Sequence, residues 1–290
     1  MIRTIATLTL GLLPVAALAQ VTETDVTFQS DGQDVIATLA LPEGAPAPVV
    51  LLLHGFSGSR DEVMIESVGE GIFERTARLL AEDGYASLRI DFRGSGDSIA
   101  DMSYAETTFE TQVADALAAM DYLEGLDEVS GEDLYIIGWS QGGAVATGAA
   151  GRSNTPDAVA LWAAVADPVP VYSGILGTSM VEEGRAIAGD ENVSMTLPWG
   201  AELVLNGTFF QSLATYSPTE EIAAYDGPLF VAQGSLDTTV PPGNADLLLE
   251  AHEGEEDFWG AEMDHVFNAF STVDTLDEMV AATAAYFDAH

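Results

Sequence analysis

The stretch Tyr135-Ile136-Ile137-Gly138-Trp139-Ser140-Gln141-Gly142-Gly143 runs straight into Ala144-Val145-Ala146-Thr147-Gly148-Ala149-Ala150. Its apolar opening predicts a buried parallel strand and its small-residue close predicts a helix. Between them Gly-x-Ser-x-Gly makes a tight turn. Strand, turn and helix in that order form the context of a nucleophile elbow, in which a serine is held strained and exposed at the tip of a sheet. The glycines two residues to either side are needed because a side chain there would strike the neighbouring strand or helix.

Reading outward, strands and helices alternate. Asp25–Ser30 and Val35–Leu41 around Asp31-Gly32 predict a β-hairpin. Buried strands are predicted at Pro48–Leu53, Ala86–Phe92, Ala158–Val165 and Pro228–Gln233, and a short one at Asp257–Gly260. Helices are predicted at Glu66–Glu82, Thr107–Leu126, Ala245–Ala251 and Thr272–Asp288. In the second of these, Val113, Leu117, Met120 and Leu123 fall on one face. This rhythm implies an α/β class with a mostly parallel central sheet and helices on both faces. The interval 167–225 breaks it and is too long for a structureless loop. It predicts a small cap inserted after strand 6, with a hairpin (Ser194–Leu197 and Glu202–Leu205) and a short helix (Gly207–Thr215).

The 290 residues carry 8 basic and 47 acidic side chains, a formal charge of −39, with 48% hydrophobic residues. Every basic side chain is an arginine, and cysteine is absent. Disulfides, thiolate metal sites and a cysteine nucleophile are therefore excluded. The charge opposes binding to nucleic acid or anionic membranes, and the hydrophobic content excludes a disordered acidic chain. An acidic shell around an ordinary core suits work in high salt, where screening removes self-repulsion. At the N-terminus Arg3, the apolar run Ile5–Leu18 and the small-x-small pattern Ala17-Leu18-Ala19 predict a signal peptide over 1–19. The run is shorter than a membrane span. The expectation is a mature domain over 20–290, periplasmic or secreted and free of the membrane.

A serine hydroxyl attacks only when a base takes its proton. Of four histidines, His54 sits in a glycine-bounded loop and reads as loop support, His252 at a helix end reads as solvated, and His290 is terminal. His265 lies between the last strand and the last helix. The base needs a carboxylate to orient it. Asp237, in the turn after strand Leu229–Gln233, faces the crevice where open α/β sheets bind ligands; Asp264 is the rival, and Asp246 belongs to the following helix. The backbone N–H groups of Gln141, at the helix start, and Phe56, after strand Pro48–Leu53, suit an oxyanion. Asp91-Phe92-Arg93-Gly94-Ser95-Gly96-Asp97-Ser98 lacks a lysine and phosphate-loop spacing, and reads as a structural turn with Arg93 paired to an acid.

His54-Gly55-Phe56, Asp91–Ser98, Gly138–Gly142, Asp237 and His265 together resemble the α/β-hydrolase superfamily, in which the triad runs Ser…Asp…His along the chain. Within it the chain is similar to the bacterial cinnamoyl/feruloyl esterase group, through His54-Gly55-Phe56-Ser57-Gly58, Asp91–Ser98 and the insertion around Leu197-Pro198-Trp199. That group has Gly-His-Ser-Gln-Gly-Gly at the elbow; here Trp139 replaces the His, keeping an aromatic and losing a polar group. The resemblance implies an α/β-hydrolase fold and a serine esterase with Ser140, His265 and Asp237 as triad and Phe56 and Gln141 as oxyanion donors. It implies short acyl or aromatic-acid esters as small-molecule substrates and requires no cofactor or metal. It also implies a cap that contacts substrate, with Tyr172, Trp199, Phe209, Phe210 and Tyr216 as an aromatic candidate set. Serine peptidase and thioesterase chemistry use the same machinery. A hydrolase-fold binding protein without turnover is the reading from another class.

Overall fold

A computed structural model describes residues 21–44 and 46–290; the signal peptide expected over 1–19 lies outside them. Eight strands form the central sheet: β1 (Thr22–Ser30), β2 (Gln33–Leu41), β3 (Ala47–Leu53), β4 (Ala86–Ile90), β5 (Val129–Trp139), β6 (Ala158–Trp162), β7 (Leu229–Gly234) and β8 (Glu256–Ala261). Their spatial order is β1-β2-β4-β3-β5-β6-β7-β8. β1 and β2 form an antiparallel hairpin, and β2 meets β4 antiparallel; every later pairing is parallel. The hairpin closes on Asp31 and Gly32, both at positive φ (49° and 76°), the two-residue turn that an Asp-Gly pair favours.

The period of two along the central strands sorts the core. Val49, Leu51 and Leu53 of β3 join one apolar cluster with α2 (Phe109–Glu124), α3 (Gln141–Ser153) and α8 (Gly243–Ala251). Val50 and Leu52 face the other cluster, with α1 (Ile72–Glu82) and α9 (Asp274–Phe287). Helices thus cover both faces, as parallel sheets require.

The insertion between β6 and β7 is the cap expected from the broken rhythm. It holds α4 (Pro168–Leu176), α5 (Thr178–Ala186), the hairpin Asn192–Thr196 with Glu202–Asn206, α6 (Gly207–Thr215) and α7 (Pro218–Ile222). The hairpin and α6 fall where the sequence puts them, but the cap is more helical than expected.

One helix boundary differs from the sequence reading. α1 begins at Ile72, not Glu66, because Met64–Ile65 pairs with Glu70–Gly71 around a turn with Gly69 at φ 72°. Gly71 also lies so close to Asp61 that a Cβ would sit 2.2 Å from its carbonyl oxygen, and the Glu74 carboxylate accepts the Gly71 N–H at 3.0 Å. The apolar spacing over 66–71 therefore belongs to a turn.

Candidate active site

β5 delivers its chain to Ser140 at φ 57°, ψ −115°, a conformation that costs a non-glycine residue about 1–3 kcal/mol. Close packing enforces it. A Cβ on Gly142 would lie 2.0 Å from the Leu53 carbonyl oxygen of β3, and one on Gly138 would lie 2.4 Å from the Gly142 carbonyl oxygen. Because the obstacle is backbone, Gly142→Ala is expected to cost about 3 kcal/mol or more, read as a lower denaturation midpoint; an unchanged midpoint contradicts this packing.

Ser140 Oγ lies 3.1 Å from His265 Nε2, and His265 Nδ1 lies 2.8 Å from Asp237 Oδ2. With the carboxylate accepting at Nδ1, that nitrogen carries the proton and Nε2 is free to accept from the serine. The buried Asp237 is itself held. Its Oδ1 accepts the N–H groups of Thr239 and Val240, each at 2.9 Å, and the Gln233 amide donates to Oδ2 at 3.3 Å. Asp264 is exposed and spends Oδ1 on the N–H groups of Val266 (3.1 Å) and Asn268 (2.8 Å). Asp246 is exposed on α8. The Ser–His–Asp series thus runs through Asp237.

The loop after β3 reaches the same point. A Cβ on Gly55 would lie 3.4 Å from Ser140 Cβ. The Gly55 carbonyl accepts from Gly58 N–H at 3.1 Å and sits 2.9 Å from His54 Nδ1. Phe92 N–H donates to His54 Nε2 at 3.3 Å, so Nδ1 carries the proton, and complete burial lowers the His54 pKa and keeps the ring neutral. Because a peptide is planar and trans, fixing the Gly55 carbonyl turns the Phe56 N–H to the opposite side. Neither that N–H nor the Gln141 N–H at the start of α3 has a hydrogen-bond acceptor among the described residues. Two unpaired N–H groups beside a serine, one at a helix N-terminus, are suited to stabilise negative charge.

Three side chains around the site carry roles that their sequence positions do not announce. Trp139 is buried, and its indole N–H donates to the His265 carbonyl at 3.2 Å while its ring lies 5.6 Å from the imidazole. The polar group expected to be lost at this position is therefore present as an N–H. The Gln141 side chain joins two elements: its amide donates to Gln112 of α2 at 2.6 Å, and it accepts from the Tyr172 hydroxyl of the cap. Glu62 turns its carboxylate inward and accepts the Gly55 N–H.

The cap aromatics divide. Tyr172 and Phe209 are buried and pack on the Phe56 ring, with centroids 5.1 Å and 5.7 Å away. Phe210 covers Gly184 of α5. Tyr216 stacks on Phe109 at 4.8 Å and donates to the Ala144 carbonyl. Trp199 is 55% exposed at the hairpin turn. Four of the five are thus cap or interface core, and Tyr172 and Phe209 reach the site through Phe56.

His252 is buried rather than solvated. Its Nε2 lies 3.0 Å from the Gly227 carbonyl and its Nδ1 3.3 Å from Glu256. Asp91–Ser98 is a structural turn. Asp115 accepts both the Arg93 N–H (2.9 Å) and its guanidinium, and Asp91 accepts the Arg60 N–H at 2.7 Å.

Residues 48–176 match the family model described as alpha/beta hydrolase fold. No curated protein matches the chain in sequence. Est1E from Butyrivibrio proteoclasticus, solved with ferulic acid bound, is similar in structure, with a TM-score of 0.69 at 20% identity, covering 91% of this chain and all of that one (100%). The esterase domain of a Rhodothermus marinus protein aligns with a TM-score of 0.65 at 24% identity over 92% of this chain and 97% of its own. The alpha/beta hydrolase GrgF from Penicillium sp. sh18 aligns with a TM-score of 0.73 at 17% identity, over 93% and 99%.

Proposed function

From the premise that this chain has the alpha/beta-hydrolase fold, we propose that it is an exported serine hydrolase of carboxylic esters. The observation that carries this is the unbroken series Ser140–His265–Asp237 facing two unpaired N–H groups.

Ser140 Oγ attacks the ester carbonyl as His265 Nε2 takes its proton. The carbonyl oxygen becomes an oxyanion held by the N–H groups of Phe56 and Gln141. Collapse breaks the bond to the alkoxy oxygen, which leaves as the alcohol with the proton from His265. A water, giving its proton to His265, attacks the acyl-serine; the second collapse releases the acid and restores Ser140. Asp237 keeps the imidazole in one tautomer and stabilises it when charged. Short acyl and aromatic-acid esters are the substrate class. The rings of Tyr172 and Phe209 behind Phe56 make an apolar wall for the acyl part.

The test is a fluorophosphonate label followed by an ester panel in high salt. Stoichiometric labelling of Ser140, with turnover of methyl ferulate or short aliphatic p-nitrophenyl esters, is expected. A folded protein that takes no label would instead be a binding protein, and amide or thioester turnover without ester turnover would move the substrate class.

Export follows from the N-terminal pattern, and salt adaptation from the charge. Six arginines (Arg60, Arg75, Arg78, Arg89, Arg93 and Arg152) are already within ion-pair distance of carboxylates, so the acid excess has little left to neutralise it. Screening should raise the melting temperature between low and molar salt, by roughly 2–4 °C for each kcal/mol of repulsion relieved. Equal melting in both would remove the salt argument.

A further inference from the structure

Glu62 stands out among the acids. It is the residue after Asp61 in the loop leading from β3, and its backbone is at φ 62°, which turns the side chain back under its own loop. The carboxylate accepts the Gly55 N–H. Oε1 lies 3.4 Å from the position of a Gly55 Cβ, the same separation as Ser140 Cβ from that point. Gly55 is therefore flanked by the carboxylate of Glu62 and by the nucleophile. The loop is shaped around this group: a Cβ on Gly58 would lie 2.6 Å from Oε2.

No cation lies within ion-pair distance of Glu62 among the described residues. The charged members of its own loop turn elsewhere, Arg60 to Asp91 and Asp97 and Asp61 to Arg89. His54 belongs to the same loop, and from other elements the titratable groups that face it are Tyr104 and the Ser140–His265 pair. Tyr104 accepts the Ser57 N–H at 2.7 Å, and burial pushes its hydroxyl pKa up. His54 is neutral, as shown above. Glu62 is thus a partly buried carboxyl without a counter-charge among the described residues, in the loop that supplies Phe56 N–H.

We propose that Glu62 is a positioning residue for the oxyanion-binding loop, uncharged while the enzyme works, and that its ionisation sets the alkaline limit of hydrolysis. The inference rests on the ester-hydrolase reading above. Uncharged, the carboxyl fixes the Gly55 amide, and with it the Phe56 amide, without placing a negative charge near the forming oxyanion. Ionised, it opposes that oxyanion through a low-dielectric interior. Burial pushes the Glu62 carboxyl up to about 8, so the limit should fall near that pH.

The test compares the parent protein with Glu62→Gln, which keeps an acceptor for Gly55 N–H and cannot ionise. kcat/KM for p-nitrophenyl acetate should fall about tenfold or more in the parent between pH 7 and pH 10, while Glu62→Gln holds its rate. A fall of the same size and midpoint in both overturns the proposal. Thermal melts give a readout independent of activity. A carboxyl whose folded pKa is raised contributes stability that is present in full below the ordinary carboxylate range and is lost as pH rises through about 8. The melting gap between Glu62→Gln and the parent should widen from about pH 5 to about pH 8 and then level off; a constant gap overturns the proposal even if the variant is inactive. A parent protein that takes no fluorophosphonate label at any pH overturns the hydrolase reading itself, an outcome distinct from either of these.

Discussion

Ser140→Ala is expected to lower kcat for p-nitrophenyl ester hydrolysis on the order of 10⁶-fold, with little change in melting temperature. The magnitude follows from the geometry. Ser140 Oγ is the group that His265 Nε2 meets, at 3.1 Å, and removing the nucleophile of a working triad costs about as much as removing the whole triad. What survives should be the 10³–10⁴-fold advantage over water that oxyanion donors and binding supply by themselves, because the Phe56 and Gln141 N–H groups belong to the backbone and remain. Stability should hold because Ala occupies the same backbone with less bulk. The strained φ of 57° persists, imposed by the packing of Gly142 against β3 and of Gly138 against the start of α3 rather than by the serine side chain. A folded Ser140→Ala protein with near-parental activity would place the nucleophile elsewhere.

The sheet and its helices were legible because the pattern that specifies them is local. Leu51 and Leu52 alternate between two apolar clusters, and an uninterrupted apolar run bounded by turns is what a two-faced parallel strand must look like. α6 was legible because Phe209, Phe210 and Leu213 repeat at helical spacing. α4 and α5 were not. Pro168 and Pro170 stand in the first turn of α4, where proline is tolerated. In α5 Gly184 is set by tertiary packing, since a Cβ there would lie 2.3 Å from the Phe210 ring. Such a helix is chosen by what packs on it, which local spacing does not record.

The site shows the same division. Ser140, Asp237 and His265 are each tied to a strand end and to an order along the chain, so position singles them out as candidates among 47 acids and 4 histidines, and the fold brings the three within hydrogen-bond distance. Trp139 could not be placed as a support of His265, because its N–H meets a carbonyl 126 residues further along, brought close only by the last loop. Glu62 is one acid in an acidic chain until a positive φ and a shaped loop turn it inward. His252 ends α8 as expected, but the Gly227 carbonyl and the ring of Tyr225, 6.0 Å away, cover it from outside its own segment. Residues whose function depends on their own strand or helix can be read early. Residues that act through a distant partner become visible only once the chain has closed.

Asp237→Asn against Asp264→Asn is the comparison with the second-largest expected effect. Both carboxylates lie near His265, one by hydrogen bond and one by sequence. Asp237 accepts from Nδ1 at 2.8 Å, is buried, and is locked by the N–H groups of Thr239 and Val240. An asparagine there can present its NH₂ to Nδ1, which moves the imidazole proton to Nε2, where it can no longer accept from Ser140. It also removes the charge that stabilises the imidazolium. That wrong tautomer costs on the order of 10⁴-fold in kcat for a working triad. The Thr239 and Val240 N–H groups would still find the amide oxygen, so the fold should survive and the loss should appear in kcat rather than in melting. Asp264 is exposed and holds only its own turn through Val266 and Asn268. An asparagine oxygen can accept from the same N–H groups, so Asp264→Asn should leave kcat within about threefold of the parent, the scale of a surface change of some 0.5 kcal/mol. Steady-state kinetics at pH 7 in high salt would decide the order, and a larger loss from Asp264→Asn than from Asp237→Asn would assign the triad acid to Asp264.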